Sequence, residues 1–319
     1  MFWAAGSGRI FGGIAALALG LVTVADGWSI DRLFFDFSPP ASVVFADDDL
    51  VKAMRAAPVP SRVLDPWGAQ VYNHATLMNH KVPQVFGYHG QELRYYDELW
   101  GGKGAYTQQV NPNLWDLFAV RFVLLQQEQK VQGLHLVAGP ARTAQGATGY
   151  LYELDSVPPY ARVVASAAKL PDSVTAATVI DQRFPVSDIV LLPDTSGATP
   201  APMSPGNLPA RPPVTVKTTT WRPGLLQFDL EGTLAQPAWL LVGESWFKDW
   251  SAMVDGKPAP LYRADHAAMA VPLPAGAHSV TLTFHSPSFE RGKWISLLSL
   301  LVAAGALLVP LARARSTNA

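Results

Sequence analysis

Cysteine is absent from this chain of 319 residues, and charged residues are scarce. The lack of cysteine excludes disulfide bonds, thiolate metal sites and a cysteine nucleophile. It also fits a bacterial cell surface better than a small secreted eukaryotic domain. Charged residues make up 15% of the chain, against roughly 25% in typical soluble domains. The formal net charge is -1, so electrostatics gives no reason to expect a nucleic-acid partner.

Long apolar runs stand near both ends of the chain. We predict membrane-spanning helices at 9–27 and 293–312, since a helix needs roughly 20 apolar residues to cross a bilayer. A cleaved signal peptide is the alternative for the first run, because small residues precede Asp26. Two spanning helices make the lipid bilayer the first expected partner.

The region 38–192 carries mixed helix and strand signals. A run of three aspartates at 47–49 precedes Leu50 and Val51, which predicts a helix with acids in its first turn rather than a metal site. The stretch 193–213 holds seven of the 27 prolines and almost no large apolar residue. We therefore predict a semi-rigid linker there.

Alternating apolar and polar residues mark the region 214–288. Leu226, Phe228 and Leu230 are separated by polar residues, as in a half-buried antiparallel strand. Asp255-Gly256 is a strong signal for a two-residue hairpin turn. We predict an α+β fold, in which a mixed α/β region and an antiparallel β-sandwich are flanked by two transmembrane helices.

Motifs for catalysis or metal binding are weak. Residues 243–247 resemble a nucleophile elbow, but Phe247 replaces the glycine that its tight turn needs. His74, His80 and His89 match no zinc spacing. We expect neither a metal nor a cofactor, and the catalytic residues stay unassigned.

A short segment rich in aromatic and acidic residues is the best candidate for ligand binding. Aromatic rings stack on the faces of sugars, and nearby polar groups bond their hydroxyls. A structural loop whose tyrosines pack locally is the alternative. The candidate glycan-binding residues are Tyr88, His89, Glu92, Tyr95, Tyr96, Asp97 and Trp100.

The end of the chain carries a more specific pattern. The run at 243–250, the V-D-G-K hairpin at 254–257, the segment 271–278 and a final apolar helix resemble the C-terminal region of bacterial YfhO-like membrane proteins. Asp249 stands where that family usually has glycine. The hairpin signature, a structural element, consists of Trp250, Asp255 and Gly256.

The resemblance implies part of a polytopic protein with a GT-C-type glycosyltransferase architecture. Such proteins transfer a sugar from a polyprenyl-phosphate carrier to a cell-envelope acceptor outside the bacterial cytoplasmic membrane. It implies that the large domain is extracytoplasmic and that its partners are upstream membrane helices, from the same or a companion protein, and a glycan or lipid-linked sugar. No catalytic residue of the family can be placed on this chain, because the family's catalytic module precedes this region.

Two further functions stay open from the sequence. The chain could be a free-standing, membrane-anchored glycan-binding or structural module without enzymatic activity. It could also be a surface hydrolase, for which the candidate acids are Asp97, Glu98 and Asp116.

Overall fold

The computed structural model describes residues 12–35, 37–73, 75–87, 92–102, 104–201 and 208–316. The chain divides into two compact units, Met1–Ala46 and Asp47–Ala319. The fold is mixed α+β with mainly antiparallel sheets, which confirms the predicted fold class.

The first unit is built around a long apolar helix, α1 (Gly12–Asp31). A short 3-10 helix (Arg32–Phe34) and α2 (Ala41–Val44) follow it. Among the described residues, Gly13–Phe34 is the segment long and apolar enough to cross a membrane. It overlaps the span predicted at 9–27, of which residues 9–11 lie outside the described part of the chain.

The second unit begins with α3 (Asp49–Ala56), which starts where the three aspartates predict a helix. The Asp48 carboxylate caps it by accepting a hydrogen bond from the Val51 N–H at 2.9 Å. The helix buries Leu50, Val51 and Met54 in a core that also contains residues of the neighbouring sheet. That sheet has the order β1-β2-β4-β3. Its strands are β1 (Arg62–Leu64), β2 (Val120–Leu125), β3 (Leu134–Arg142) and β4 (Thr148–Leu154).

Three short helices lie between β1 and β2. They are α4 (Thr76–Asn79), α5 (Arg94–Leu99) and α6 (Pro112–Leu117). Asn111 caps α6 by accepting from the Asn113 N–H at 3.0 Å, and Pro112 occupies the first turn, where its missing N–H costs nothing. This helix leads into β2, in which Val120, Phe122, Val123 and Leu124 are buried.

Strand β5 (Ala161–Val164) is followed by a parallel pair, β6 (Ser166–Leu170) and β7 (Ile189–Pro193), with α7 (Asp172–Ile180) as the crossover between them. All four residues of β5 are buried. A strand buried on both faces shows no alternation in sequence, so its partners cannot be read from its pattern.

The remaining strands form two antiparallel sheets. They are β8 (Thr215–Arg222), β9 (Leu225–Glu231), β10 (Ala238–Val242), β11 (Trp250–Val254), β12 (Lys257–Ala259), β13 (Tyr262–Ala264), β14 (Ala268–Leu273) and β15 (Ser279–Phe284). One sheet has the order β12-β11-β15-β9-β8 and the other β13-β14-β10-β5. Phe228 and Val280 of the first share a core with Leu240 and Val271 of the second.

The predicted boundary at 193–213 does not separate two independent cores. Strand β5 comes from the region 38–192, yet it pairs with β10 along Ala161–Val164. Ala198, inside the predicted linker, is only 4% exposed and belongs to the main core. A single alanine can fill such a position, so no long apolar run in the sequence indicates that this residue is buried.

The last element is a long helix, α8 (Pro287–Ser316), which begins three residues after β15. It runs through the span predicted at 293–312. Trp294, Ile295 and Leu298 expose between 64% and 66% of their surface, as expected of a helix whose apolar side chains face lipid or other helices. The two-span topology stays a prediction.

Candidate functional site

A cleft of about 180 Å³ opens beside β1 and α5. We call it the Arg62 cleft. Val85, Phe86, Gly87 and Leu93 form its apolar and backbone lining. Its polar lining consists of Arg62, Gln84, Glu92, Tyr96, Asp97, Tyr106, Glu244 and Ser245. Residues widely separated in sequence therefore meet at one opening.

Arg62 lines this cleft and is held by two other segments of the chain, at Phe118 and at Gly243–Glu244. Its Nη1 donates to the carbonyl oxygens of Phe118, at 3.0 Å, and Gly243. Its Nη2 donates to Glu244 Oε2 at 2.9 Å. The arginine side chain is 11% exposed and that of Glu244 is 25% exposed. A planar guanidinium with several fixed donors suits such a junction better than a lysine would.

Tyr160 completes the same cluster. Its hydroxyl donates to Glu244 Oε2 at 2.5 Å, and its ring centroid lies 5.1 Å from the Arg62 guanidinium. Burial and then Glu244 raise the pKa of Tyr160, so the phenol remains a hydrogen-bond donor. Burial lowers the pKa of Arg62, but Glu244 and the tyrosines outweigh it and the net pKa is raised. The arginine is therefore charged and paired.

Helix α5 brings the aromatic and acidic segment to the cleft. The Tyr96 hydroxyl donates to the Val85 carbonyl at 2.9 Å, and its ring packs edge-on against Phe118 at 4.9 Å. Burial raises the pKa of Tyr96. Asp97 Oδ1 is buried, and among the described residues it has no hydrogen-bond partner.

The seven predicted glycan-binding residues are distributed over different surroundings. Glu92, Tyr96 and Asp97 line the cleft. Tyr95 instead lies under the Arg263 guanidinium, 3.8 Å from its ring centroid. Trp100 is fully buried in the core, so it offers no ring face to a ligand in this structure. Tyr88 and His89 lie outside the described residues.

The sequence interpretation missed Arg62, Tyr106, Tyr160 and Glu244 as members of this cluster. One local signal was available: Glu244 follows directly after the glycine that ends an entirely buried strand, β10. A carboxylate in that position must either reach solvent or find a cation. Nothing local indicates that the cation is Arg62.

The three acids considered for hydrolysis lie in separate surroundings. Glu98 pairs with Arg94 at 2.7 Å and with His266 at 2.9 Å. Asp116 pairs with Arg162 at 2.7 Å. Asp97 lines the Arg62 cleft. Within the part of the chain that the structure describes, these three carboxylates are not paired with one another, so a hydrolytic acid pair gains no support.

The hairpin signature has a structural explanation. Asp255 and Gly256 both adopt left-handed backbone angles, with φ of 48° and 73°, as a two-residue turn between twisted strands requires. The Asp255 carboxylate accepts from the Ser279 N–H at 2.8 Å and the His278 N–H at 3.0 Å. Trp250 packs edge-on against Phe284 at 5.4 Å.

The described residues contain no group of three or more His, Asp or Glu side chains that could hold a metal ion. His80 pairs with Asp47 at 2.8 Å. His74 and His89 lie outside the described residues.

Comparison with known proteins identifies a family for one segment near the end of the chain. Residues 214–296 match the family model of the bacterial membrane protein YfhO. A search of curated proteins gives no match. A cryo-EM structure of the arabinofuranosyltransferase AftD from Mycobacteria aligns with 24% identity over 34% of this chain and 8% of that one, and its TM-score of 0.26 is too low to indicate a shared fold. The YfhO-like C-terminal region that the sequence resemblance predicts is thus confirmed at residues 214–296.

Proposed function

We propose that this chain is the C-terminal, extracytoplasmic part of a YfhO-like membrane protein and that its Arg62 cleft holds a sugar. The sugar belongs to a cell-envelope glycan or to a polyprenyl-phosphate carrier. The chain supports glycosyl transfer by a catalytic module on upstream membrane helices, of the same or a companion protein.

The observation that carries this proposal is that residues from two regions of the chain line the same cleft. Glu92, Tyr96 and Asp97, chosen from sequence for sugar binding, line the same opening as Glu244 and Ser245 of the YfhO-like region. A concave site with a few polar groups on an apolar wall is the usual form of a small-molecule site.

The size of the cleft limits the ligand. Sites for drug-sized ligands occupy roughly 300–1,000 Å³, whereas this cleft has about 180 Å³. It therefore accommodates a single sugar ring or the terminal ring of a longer glycan. The remainder of such a glycan would lie in solvent.

Glycan binding tests the proposal directly. The full chain in lipid nanodiscs is applied to an array of bacterial envelope glycans, beside an Asp97→Asn variant and a Glu128→Gln control. Glu128 is an exposed acid that does not line the cleft. We expect binding by the wild type and the control and weakened binding by Asp97→Asn. A folded wild-type chain that binds nothing on the array contradicts the proposal.

Membrane sidedness can be tested separately because the chain has no cysteine. A Glu128→Cys variant provides one thiol on the large domain. We expect a membrane-impermeant maleimide to label it in intact cells. Labelling that appears only after lysis would place the domain in the cytoplasm and contradict an extracytoplasmic role.

A further inference from the structure

We infer that the Arg62 cleft recognises the hydroxyl or ammonium donors of a sugar and excludes its phosphate. This inference rests on the proposed function and concerns the chemical class of the ligand at that same site.

The positive charge in the cleft is already engaged. Arg62 carries the single positive charge among the described residues that line it. Its Nη1 donates to two backbone carbonyls and its Nη2 to Glu244. These bonds use three of the five guanidinium N–H donors, and the Glu244 carboxylate offsets the charge. An incoming phosphate would therefore compete with Glu244 for the guanidinium. Removing a partner from a buried charged group is costly, so the arginine serves as a structural cation.

The polar lining also carries a buried acceptor that lacks a donor. Asp97 Oδ1 has no hydrogen-bond partner among the described residues, and Asp97 lines the opening. A buried acceptor without a donor is unfavourable until a ligand or a water supplies one. An ionised phosphate brings more acceptors and more negative charge. A sugar hydroxyl or an ammonium group brings the missing donor.

Tyr106 supports this selectivity. Burial and then the charges of Glu92 and Asp97 raise the pKa of Tyr106. Its hydroxyl therefore stays neutral. The effect also shows that both carboxylates lie near this hydroxyl. A lipid-linked sugar would insert its ring and leave its phosphate outside.

The test compares three small ligands that share one ring. Glucose, glucosamine and glucose 1-phosphate are titrated by ligand-observed NMR against the full chain in nanodiscs of uncharged lipid. We expect glucose 1-phosphate to bind at least about tenfold more weakly than glucose, the equivalent of one charge-assisted contact. Glucosamine should bind at least as tightly as glucose, and added salt should reduce both differences.

Asp97→Asn is the informative variant, since its amide adds a donor and removes one charge. Asp97→Asn should weaken glucose binding and reduce the difference in affinity between glucose and glucose 1-phosphate. Glu128→Gln should change neither affinity. Thermal unfolding of both variants shows whether they are folded. Equal or tighter binding of glucose 1-phosphate by the wild type overturns this inference but leaves the proposed function standing. If no sugar binds here or on the glycan array, the proposed function fails and this inference fails with it.

Discussion

Two buried arginines, Arg62 and Arg162, show how similar ion pairs can have different functional value. Their side chains are 11% and 9% exposed, and each pairs with one carboxylate, Glu244 or Asp116 respectively. Arg162 also donates to the Asp116 carbonyl at 2.6 Å and to Ser187 Oγ at 2.5 Å. The Ser187 hydroxyl in turn donates to Asp116.

The Arg162 cluster satisfies its groups internally, whereas the Arg62 cluster lies beside an opening of about 180 Å³. Next to that opening, Asp97 Oδ1 has no partner among the described residues. The difference teaches that a buried charge pair does not identify a binding site by itself. Our proposal for the Arg62 cleft depends instead on the space and the unfilled hydrogen-bonding position beside the pair.

The largest expected effect is a loss of stability that is similar for both arginines. Arg62→Met and Arg162→Met each leave a carboxylate without its cation. Breaking a buried pair costs about 3–5 kcal/mol, and we expect the lower end because Glu244 and Asp116 are 25% and 28% exposed. Chemical denaturation of the full chain in detergent, followed by tryptophan fluorescence, measures this change.

Arg183→Met is the matched control for these two variants, because Arg183 pairs with Asp181 on the surface and its side chain is 90% exposed. It should leave the denaturation midpoint unchanged. If Arg62→Met were as mild as the control, Arg62 would not be the structural cation that the cleft requires.

The acids of the two clusters should separate stability from binding. Glu244→Gln and Asp116→Asn keep the side-chain shape but remove the charge, and each should lower the free energy of unfolding by about 2 kcal/mol. Only Glu244→Gln should also weaken glucose binding, because only Glu244 lines the cleft. Equal binding losses in both variants would indicate that stability, and not contact with the ligand, controls the measurement.

The pH dependence of stability should distinguish the arginines again. Burial raises the pKa of Asp265 to about 7, partly offset by a hydrogen bond from the Leu191 N–H and by the charge of Arg162. Because this carboxyl binds its proton more tightly in the folded state, its contribution is full below pH 3.8 and is lost as the pH rises to about 7. Asp65, with a pKa also raised to about 7 by burial, contributes in the same window.

Arg162→Met should raise the pKa of Asp265 further, by up to about one unit, equivalent to ~1.4 kcal/mol. The contribution of Asp265 to stability should then be lost at a correspondingly higher pH. Arg62→Met should leave the window in place. Denaturant titrations at intervals from pH 4 to 9 measure it. Asp265→Asn, which cannot titrate, should halve the slope and abolish the effect of Arg162→Met, and an unchanged slope would show that Asp265 is not the group involved.

Local patterns in the sequence predicted the parts of the fold that depend on neighbouring residues. The capped helix at Asp48, the alternating strand at Leu226–Leu230 and the turn at Asp255 are of this kind. The pairing of β5 with β10 and the contact of Arg62 with Glu244 join residues far apart in sequence. These long-range contacts form only when the chain packs into its tertiary structure, and no short-range periodicity in the sequence indicates them.

The same limit applies to the candidate site. The composition around α5 predicts glycan-binding residues, but it cannot distinguish a ring that faces a ligand from one that fills the core. Trp100 is completely buried, while Asp97 lines the cleft. Which face of a six-residue helix points inward is decided by the surrounding core.

The smallest expected effect concerns the hairpin turn at Asp255, which the sequence alone predicts. This carboxylate accepts three hydrogen bonds, from the backbone of His278 and from the backbone and side chain of Ser279. It nevertheless lies at the surface, where water can replace those bonds. Asp255→Ala should therefore cost only about 1 kcal/mol, mostly from an alanine forced into a left-handed backbone. Asp255→Asn, which tolerates that backbone, should cost less, as measured by the same denaturation. A loss as large as that of Arg62→Met would mean that the number of hydrogen bonds, and not their burial, determines the energetic difference between clusters in this protein.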